Sequence, residues 1–365
     1  MAIEPFTIDI ADEVLDDLRG RLLRTRFATP SDPEPGRAGF DPGYLRELVE
    51  RWHDGFDWRA REGVINAYPQ FRTTGAAPLH FIHARAAEAT HAVPIVLLHG
   101  WPSSFLEMLP LVDRLTAAGH DVVVPSLPGF AFSALQPGFW TRNGTAALIH
   151  DLMSGELGYA RYGAFGGDIG GTVAAWLGAL YPQSVAAIHM IHPPFPASFD
   201  VPPLTAEEQA FLDAEEAFDE TDGGYSAIMI TRPDTIAAAL LDSPSGLLAW
   251  IADKWRDWSD CDGNLRSRLA DDELLTLATL YWVSGSIGTS ARQYYDYDHG
   301  AARPAIDVPA AFTLSHEPGM TGFPRSIAER ACSNIVRWNE PGRGGHFLAW
   351  EEPDLMAEEL RATFG

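Results

Sequence analysis

The chain has 365 residues, 46% of them hydrophobic and 21% charged, so it can bury a large core and is not a low-complexity polymer. Its 26 basic and 50 acidic residues give a formal net charge of −24, which argues against nucleic acid or an anionic membrane as partner. Only two cysteines are present, so we expect a reducing compartment such as the cytoplasm and no disulfide framework or thiolate metal site. We also expect no membrane span and no export signal.

Two helices are predicted near the N-terminus. Over residues 8–27, Val14, Leu18 and Leu22 recur every four residues, with acids early and arginines late, as a helix dipole prefers. A connector rich in Pro and Gly follows, and a second helix is predicted over 43–54. Both helices precede the first clear strand pattern of the chain.

Strands and helices then alternate. Short apolar runs predict strands, and amphipathic or longer segments between them predict helices. This alternation predicts βαβ units and a mostly parallel sheet. The predicted strands cover 79–84, 93–98, 121–125 and 162–166, and the helices cover 105–117 and 142–156.

The pattern changes between about 200 and 302. The segments there are helical and rich in acids, with no clear strand among them, and Trp255 and Trp258 are interpreted as packing inside this region. A β-rich pattern returns at 308–315 and 334–338. The simplest interpretation is an α/β core interrupted by a helical insertion. Its predicted helices cover 205–220, 235–241, 246–258 and 271–286.

A glycine-rich turn holds the sharpest chemical signal. Gly166-Gly167-Asp168-Ile169-Gly170-Gly171 follows a short strand, and a helix is predicted to begin near Thr172. This is the nucleophile-elbow pattern of α/β-hydrolases, where glycines permit a strained turn and leave one side chain exposed above the sheet. On this motif alone, a glycine-rich turn with an incidental Asp168 is an equal alternative.

Two further motifs favour the hydrolase interpretation. His99-Gly100-Trp101-Pro102 follows a buried strand, at the place where such hydrolases have an oxyanion hole. Near the C-terminus, His346 follows a pair of glycines. A histidine placed last, behind an upstream acid, matches the chain order nucleophile, acid, histidine of this fold.

Together, the motifs resemble the epoxide hydrolases of the microsomal and juvenile-hormone type. The resemblance covers nearly the whole chain, and it implies an α/β-hydrolase fold with a helical cap and an N-terminal wrapping segment. The implied division is 1–77 for the wrapping segment, 78–200 and 303–365 for the core, and 201–302 for the cap. The motifs that carry it are Phe56–Arg59, Ile65–Phe71, His80–His83, His99–Pro102, Pro128–Ser133, Gly167–Gly171, Gly224-Tyr225, Thr231–Thr235, Asp242–Leu247, Tyr281-Trp282 and Ser290–Tyr294.

The resemblance implies a two-step reaction without a cofactor or a metal. Asp168 is the expected nucleophile, because a carboxylate can open a strained epoxide ring and form an ester without prior deprotonation. Tyr225 and Tyr294 match the two cap tyrosines of the family, which donate to the epoxide oxygen. Tyr295 is the alternative to Tyr294, since a shift of one residue would exchange them.

The second step needs a base and an oxyanion hole. The resemblance implies that His346 activates water and that an acid orients its ring. Glu317 is the best candidate for that acid, although the family pattern Phe-Pro-x-acid is not matched here; Asp307 is the alternative. Backbone N–H groups of Trp101 and Ile169 are expected to hold the oxyanion.

Other interpretations stay open. A haloalkane dehalogenase also uses an aspartate nucleophile, and a catalytically silent hydrolase fold could serve as a binding module. Asp296 and Asp298 around His299 are interpreted as a solvated loop rather than a metal site. A composition with a single lysine indicates a GC-rich bacterial genome, and the aromatic cap favours a bulky aromatic epoxide, such as a secondary-metabolite intermediate. A homodimer is compatible with the resemblance.

Overall fold

A computed structural model describes residues 2–75, 77–87, 92–135, 141–200, 202–295 and 301–365. In these ranges nine strands form one sheet, in the order β1-β2-β3-β5-β4-β6-β7-β8-β9. The strands are β1 (Ile3–Pro5), β2 (Gln70–Thr73), β3 (His80–Ala84), β4 (Ile95–Leu98), β5 (Val122–Pro125), β6 (Tyr162–Gly166), β7 (Val185–Met190), β8 (Ala310–Thr313) and β9 (Ile335–Asn339).

Most of this sheet is parallel. Strands β5, β4, β6, β7, β8 and β9 pair in parallel, whereas β1, β2, β3 and β5 pair antiparallel along the other edge. The prediction of an α/β-hydrolase fold with a mostly parallel sheet is therefore confirmed. Strand β7 was not predicted from the sequence, so the residues that follow it were not considered as candidates for the site.

Helices surround the sheet. The α-helices of the described residues are α1 (Asp12–Leu22), α2 (Pro42–Asp54), α3 (Trp58–Ile65), α4 (Leu109–Ala117), α5 (Arg142–His150), α6 (Asp168–Leu180), α7 (Ala206–Asp222), α8 (Gly224–Thr231), α9 (Pro233–Asp242), α10 (Pro244–Trp258), α11 (Asp271–Ser284), α12 (Ser286–Tyr295), α13 (Arg325–Ala331), α14 (Leu348–Glu351) and α15 (Pro353–Phe364). Short 3-10 helices cover Phe105–Met108, Leu265–Ser267 and Pro318–Met320, and a π-helix, Asp151–Glu156, follows α5.

The core lies on both faces of the sheet. All four residues of β4 are buried, and they alternate between two hydrophobic clusters: Val96 and Leu98 belong to one, Ile95 and Leu97 to the other. A strand with apolar residues on both sides needs helices on both faces, as parallel sheets generally have. This arrangement leaves the carboxyl ends of the strands as the exposed edge where side chains can form a site.

Helix α1 is shorter than the predicted helix over 8–27. The backbone N–H and C=O of Ile8 bond to the side chain of Asn66, at 2.9 and 2.8 Å, and the N–H of Ile10 donates to Glu62 at 3.0 Å. These side chains satisfy the backbone in an extended conformation, so the helix begins only at Asp12. Leu18 and Leu22 of the predicted apolar period are buried, but Val14 is exposed and Leu15 lies on the buried face instead.

The insertion between β7 and β8 is helical. Helices α7 to α12 occupy it, and no strand occurs in residues 202–295. The predicted segment boundaries stay predictions, and Asp296, Asp298 and His299 lie outside the described residues. Within the described ranges, no helix by itself is long and apolar enough to cross a membrane; α9 and α10 meet that test only as a pair bent by 119°.

Candidate active site

The strand order brings five loops together at the carboxyl edge of the sheet. Trp101 follows β4, Asp168 follows β6, His192 follows β7, Glu317 follows β8 and His346 follows β9. Because β4, β6, β7, β8 and β9 are successive neighbours in the sheet, the loops that carry these residues meet at one edge. Ligand sites of open α/β sheets form at this edge.

The turn at Asp168 is strained and tightly packed. Asp168 has a φ of 51°, in the left-handed region that non-glycine residues rarely adopt. A Cβ at Gly170 would lie 2.1 Å from the carbonyl oxygen of Leu98, and one at Gly100 would lie 2.4 Å from the Asp168 side chain. Only glycine fits at both positions, which agrees with a nucleophile elbow.

Helix α6 begins at Asp168 and not near Thr172, so that prediction was wrong. Gly170 and Gly171, taken as part of the turn, lie in the first turn of the helix. Gly170 packs against the end of β4, where a Cβ would collide with the backbone of Leu98. The Asp168 side chain therefore stands at the N-terminus of α6, where a helix dipole favours a negative charge.

The carboxylate of Asp168 has two different neighbours. The backbone N–H of Trp101 donates to Oδ1 at 2.9 Å, as expected for one oxyanion donor. Ile169, which carries the second predicted donor, is the next residue in the first turn of α6 and is buried. Nε2 of His346 lies 3.9 Å from Oδ2, longer than a direct hydrogen bond.

Glu317, rather than Asp307, contacts His346. Oε2 of Glu317 lies 2.7 Å from His346 Nδ1, and Oε1 accepts a hydrogen bond from Ser315 at 2.8 Å. Asp307 instead accepts a hydrogen bond from Ser333 at 2.6 Å. Leu314, Ser315 and His316, the residues before Glu317, differ from the expected family motif, and a 3-10 turn over Pro318–Met320 follows Glu317 directly.

The cap fixes the backbone at His346. The N–H of His346 donates to the carbonyl oxygen of Trp258 at the end of α10, at 2.8 Å. A Cβ at Gly345 would lie only 2.3 Å from that oxygen. The glycine before His346 is therefore required by the close approach of the cap backbone.

The charges of His346 and Glu317 stabilise each other. Burial disfavours the imidazolium of His346, but Glu317, Asp168 and Glu107 outweigh burial and raise the pKa of His346 to about 9. Burial also opposes the charge of Glu317, yet His346 and His192 lower the pKa of Glu317 well below its usual range. The acid is therefore a carboxylate that stabilises an imidazolium.

The two predicted cap tyrosines meet above Asp168. Tyr225 lies in the first turn of α8 and Tyr294 in α12, and their side chains are hydrogen-bonded to each other. Both rings pack on Trp101, that of Tyr225 stacked in parallel at 5.2 Å. Burial first, and then nearby negative charge including Asp168, raises the pKa of both phenols, so both keep a proton to donate.

Tyr295 has a different environment. The guanidinium of Arg292 lies over its ring, 4.4 Å from the centroid, and Tyr295 is not among the residues that line the cavity at Asp168. Of the two alternatives from the sequence, the structure brings Tyr294 to the site.

These groups open into one cavity of about 810 Å³, a size typical of small-molecule sites. Asp168, His346, Tyr225 and Tyr294 line its inner part. The rest is lined largely by aromatic and other apolar side chains, which include Trp176, Met190, Phe195, Leu212, Phe218, Trp258 and Met320.

Three residues at the site were missed or misinterpreted in the sequence. Trp258 is not only cap packing: its ring lies 4.8 Å from that of His346 and 5.1 Å from that of Tyr225. His192 contacts both Asp168 and Glu317. Glu107, in the 3-10 helix after β4, is a buried carboxyl that acts on His346.

His192, Glu317 and His346 also form a set of metal-ligand types, with ligand atoms within 4.8 Å of one another. Glu317 is only 2.6 Å from His192 and 2.7 Å from His346. Two ligands of one tetrahedral ion would be roughly 3.3 Å apart if each lay about 2.0 Å from it. The distances therefore fit direct nitrogen–oxygen contacts better than a shared ion.

The comparisons with known proteins agree with this geometry. A family model described as epoxide hydrolase N terminus matches residues 3–108, and one described as alpha/beta hydrolase fold matches residues 93–220. Juvenile hormone epoxide hydrolase 2 of Ctenocephalides felis is 33% identical over 98% of this chain and 84% of its own length. The chain belongs to the epoxide hydrolase family of the microsomal and juvenile-hormone type. Enzymes of this family are hydrolases that need no cofactor.

Solved structures of the same family have the same fold throughout. The crystal structure of juvenile hormone epoxide hydrolase from Bombyx mori matches with a TM-score of 0.90 and 27% identity, over 99% of this chain and 94% of that one. The epoxide hydrolase of Aspergillus niger matches with a TM-score of 0.84 and 30% identity, over 100% and 96%. The resemblance stated from the sequence is confirmed.

Proposed function

We propose that this chain hydrolyses an epoxide to a vicinal diol through an ester of Asp168. One observation carries the proposal: the Asp168 carboxylate lies between a buried histidine–glutamate pair and two hydrogen-bonded tyrosines, inside one cavity. These are the groups that two successive steps need, an attack on carbon and the hydrolysis of an ester.

In the first step, Oδ2 of Asp168 attacks an epoxide carbon and the ring C–O bond breaks. Oδ1 is held by the N–H of Trp101, which leaves Oδ2 free to react. The departing oxygen takes a proton from Tyr225 or Tyr294, whose raised pKa values keep them protonated. The product is a hydroxyalkyl ester of Asp168 and one tyrosinate shared by the phenol pair.

In the second step, His346 removes a proton from water as the water attacks the ester carbonyl carbon. Oδ1 becomes the oxyanion, which the Trp101 N–H already holds; the Ile169 N–H is the proposed second donor. The ester bond breaks, and the departing diol oxygen takes a proton from the histidine. The second proton of the attacking water, left on the new carboxyl group of Asp168, passes to the tyrosinate, which restores the Asp168 carboxylate and completes the cycle.

The charge of His346 changes between the steps. The Asp168 carboxylate helps to raise the pKa of His346 to about 9. Esterification removes that negative charge, so the pKa of His346 falls when the base is needed. The nucleophile therefore prepares its own hydrolysis.

The tyrosine pair favours an epoxide over a haloalkane. A halide leaves as an anion and needs N–H donors, but no proton. A departing alkoxide must be protonated, and two phenols above Asp168 supply the proton. We also propose that the substrate is a bulky aromatic epoxide, such as a secondary-metabolite intermediate, because the cavity is about 810 Å³ and several aromatic side chains line it.

The proposed setting is the cytoplasm of a bacterium. Cys261 and Cys332 are both free and buried, which supports a reducing compartment. We also propose a homodimer, and sedimentation of the purified protein would measure its oligomeric state.

The test is intact-protein mass spectrometry of His346→Gln after exposure to styrene oxide. Ester hydrolysis is expected to stall in this variant, so the protein should gain the mass of one substrate molecule. Asp168→Asn is the matched control, because the amide keeps the shape of the side chain but not the nucleophile.

An adduct in His346→Gln that is absent in Asp168→Asn supports the proposal. An adduct in both variants would place the nucleophile elsewhere. If wild type forms no diol from styrene oxide or bulkier aromatic epoxides, and neither variant forms an adduct, the epoxide proposal fails; release of halide from a haloalkane would then identify the dehalogenase alternative.

A further inference from the structure

His192 contacts all three members of the triad. Nδ1 of His192 accepts the backbone N–H of Asp168 at 2.7 Å. Nε2 lies 2.6 Å from Oε1 of Glu317, although its N–H approaches that oxygen obliquely. The ring centroid lies 4.7 Å from that of His346.

The position of His192 in the fold explains these contacts. It is the second residue after β7, which lies between β6 and β8 in the sheet. The nucleophile follows β6 and the acid follows β8, so a side chain at this place lies between them. Its side chain is 16% exposed and lines the cavity beside Asp168.

The bond to Asp168 fixes the tautomer of the ring. A neutral imidazole has one donor and one acceptor nitrogen. Because Nδ1 accepts the Asp168 N–H, a neutral His192 carries its proton on Nε2, which faces Glu317. The ring thus links an N–H of the strained nucleophile turn to the oxygen of Glu317 that does not face His346.

We propose that His192 is a positioning residue of this reaction, which holds the nucleophile turn and takes up part of the charge of Glu317. The contacts run from the Asp168 backbone to His192, to Glu317, to His346 and back to the Asp168 side chain. The inference rests on the proposed function, since it assigns His192 a part in the same two steps.

The charge of Glu317 decides how readily His346 acts as a base. The groups that face His346 are the carboxylates of Glu317, Asp168 and Glu107, which raise its pKa against the effect of burial. His192 faces it from the loop after β7 and Trp258 from the cap. Asp260 of the cap accepts the N–H of Gly344, Glu351 of the core accepts the N–H of Phe347, and Tyr225 of the cap lines the same cavity as His346.

After the ester forms, Asp168 no longer contributes a negative charge. Glu317 then dominates the pKa of His346, and an N–H from His192 weakens that influence by drawing on the same carboxylate. His192 therefore keeps His346 unprotonated at a lower pH than Glu317 alone would allow. Without His192, the acid limb of the pH–rate profile of ester hydrolysis, where the rate falls as His346 is protonated, should move to higher pH.

Three substitutions of His192 test its contact with the Asp168 N–H and its contact with Glu317 separately. His192→Asn places a carbonyl oxygen near the position of Nδ1 and keeps the acceptor for Asp168. His192→Gln places an amide nitrogen near the position of Nε2 and keeps the donor to Glu317. His192→Leu keeps neither. The experiment measures formation and hydrolysis of the ester separately, in single-turnover reactions with styrene oxide across pH.

We expect the acid limb of hydrolysis to move up by roughly 0.5–1 pH unit in His192→Leu and His192→Asn. In His192→Gln it should stay near the wild-type position. Ester formation should slow about 3- to 10-fold in His192→Leu and His192→Gln, which lose the acceptor, and less in His192→Asn. If His192→Leu does not fold, the Asn and Gln variants carry the test.

His189→Gln is the control for a purely structural role. His189 lies in β7, is fully buried and bonds to Thr313 and Thr363 through its two ring nitrogens. Its substitution should lower the melting temperature without moving the acid limb. An equal pH shift in His189→Gln, or no shift in any variant that loses the donor, overturns the inference.

Failure of the proposed function and failure of the role of His192 give different results. A wild-type protein that forms neither ester nor diol from any epoxide tested overturns the proposed function and this inference with it. A wild-type protein that turns over, with pH profiles unmoved in the His192 variants, overturns the role of His192 alone.

Discussion

The hydrolase core and the cap hold their parts of the site by different means. In the core, Asp168, Glu317 and His346 follow neighbouring parallel strands and are joined by polar contacts. In the cap, Tyr225 and Tyr294 lie on separate helices and are held mainly by ring packing against Trp101 and Trp258.

This difference predicts how each half responds to substitution. In the core, each charged group fixes the protonation of the next, so the loss of one disables a whole step. In the cap, two phenols share one task and the same packing supports both. We therefore expect steep, non-additive losses in the core and graded losses in the cap.

The largest effect is expected for Glu317→Gln. The amide keeps the size of the side chain but removes the charge that stabilises the His346 imidazolium, and it can hold the ring in the wrong tautomer. We expect the rate of ester hydrolysis to fall by about 10³- to 10⁴-fold, with ester formation much less affected. Single-turnover mass spectrometry with an epoxide would measure both steps.

Asp307→Asn is the matched control for Glu317→Gln. Asp307 bonds to Ser333 before β8 and was the alternative acid from the sequence. Its substitution should leave both steps within about 2-fold of wild type. A loss of hydrolysis in Asp307→Asn comparable with that in Glu317→Gln would contradict the assignment.

The cap tyrosines should show a smaller loss that grows when they are combined. Either phenol can protonate the departing oxygen, so Tyr225→Phe or Tyr294→Phe alone should slow ester formation by about 10- to 100-fold. The double variant should lose on the order of 10³-fold. The rate of adduct formation in the background of His346→Gln would measure this step in isolation.

Tyr295→Phe tests the alternative position. Its ring lies under the Arg292 guanidinium, so ester formation should not change. If Tyr295→Phe slowed ester formation and Tyr294→Phe did not, the pairing of Tyr225 with Tyr294 would be the wrong one.

The parts of the site that could be predicted from the sequence are those with a local steric requirement. Gly100, Gly170 and Gly345 stand where a Cβ would collide with Asp168 or with backbone, so glycine patterns identified the neighbouring functional residues. The tyrosines had no such signal of their own. They were predicted only from the flanking motifs of the family, and α8, which carries Tyr225, was not predicted as a helix.

His192 and Glu107 could not be predicted because their roles depend on strand order and burial. The segment Val185–Met190 was not recognised as a strand, so the residue after it had no expected place in the sheet. With β7 assigned, His192 would have been a candidate, since it follows a parallel strand as Asp168 does. Glu107 looks like an ordinary helix residue, and no local pattern shows that its carboxyl is buried.

The smallest effect is expected for Glu107→Gln. Burial raises the pKa of Glu107 to about 7, against a hydrogen bond from Ser103, so its carboxyl gains charge as the pH rises through neutrality. That charge helps to raise the pKa of His346. Without it, His346 loses its proton at lower pH, and the acid limb of hydrolysis should move down by roughly 0.5–1 unit.

The sign of this shift separates Glu107 from His192. Removal of a negative charge near His346 must extend hydrolysis to lower pH, whereas loss of the His192 donor should restrict it to higher pH. Glu273→Gln is a suitable control. Glu273 and Glu107 line the same cavity, which is not the cavity at Asp168, but the Glu273 side chain caps α11. A shift to higher pH in Glu107→Gln would mean that the Glu107 carboxyl does not act on hydrolysis through the protonation of His346. The core residues would then depend on each other by more than the charge interactions described above.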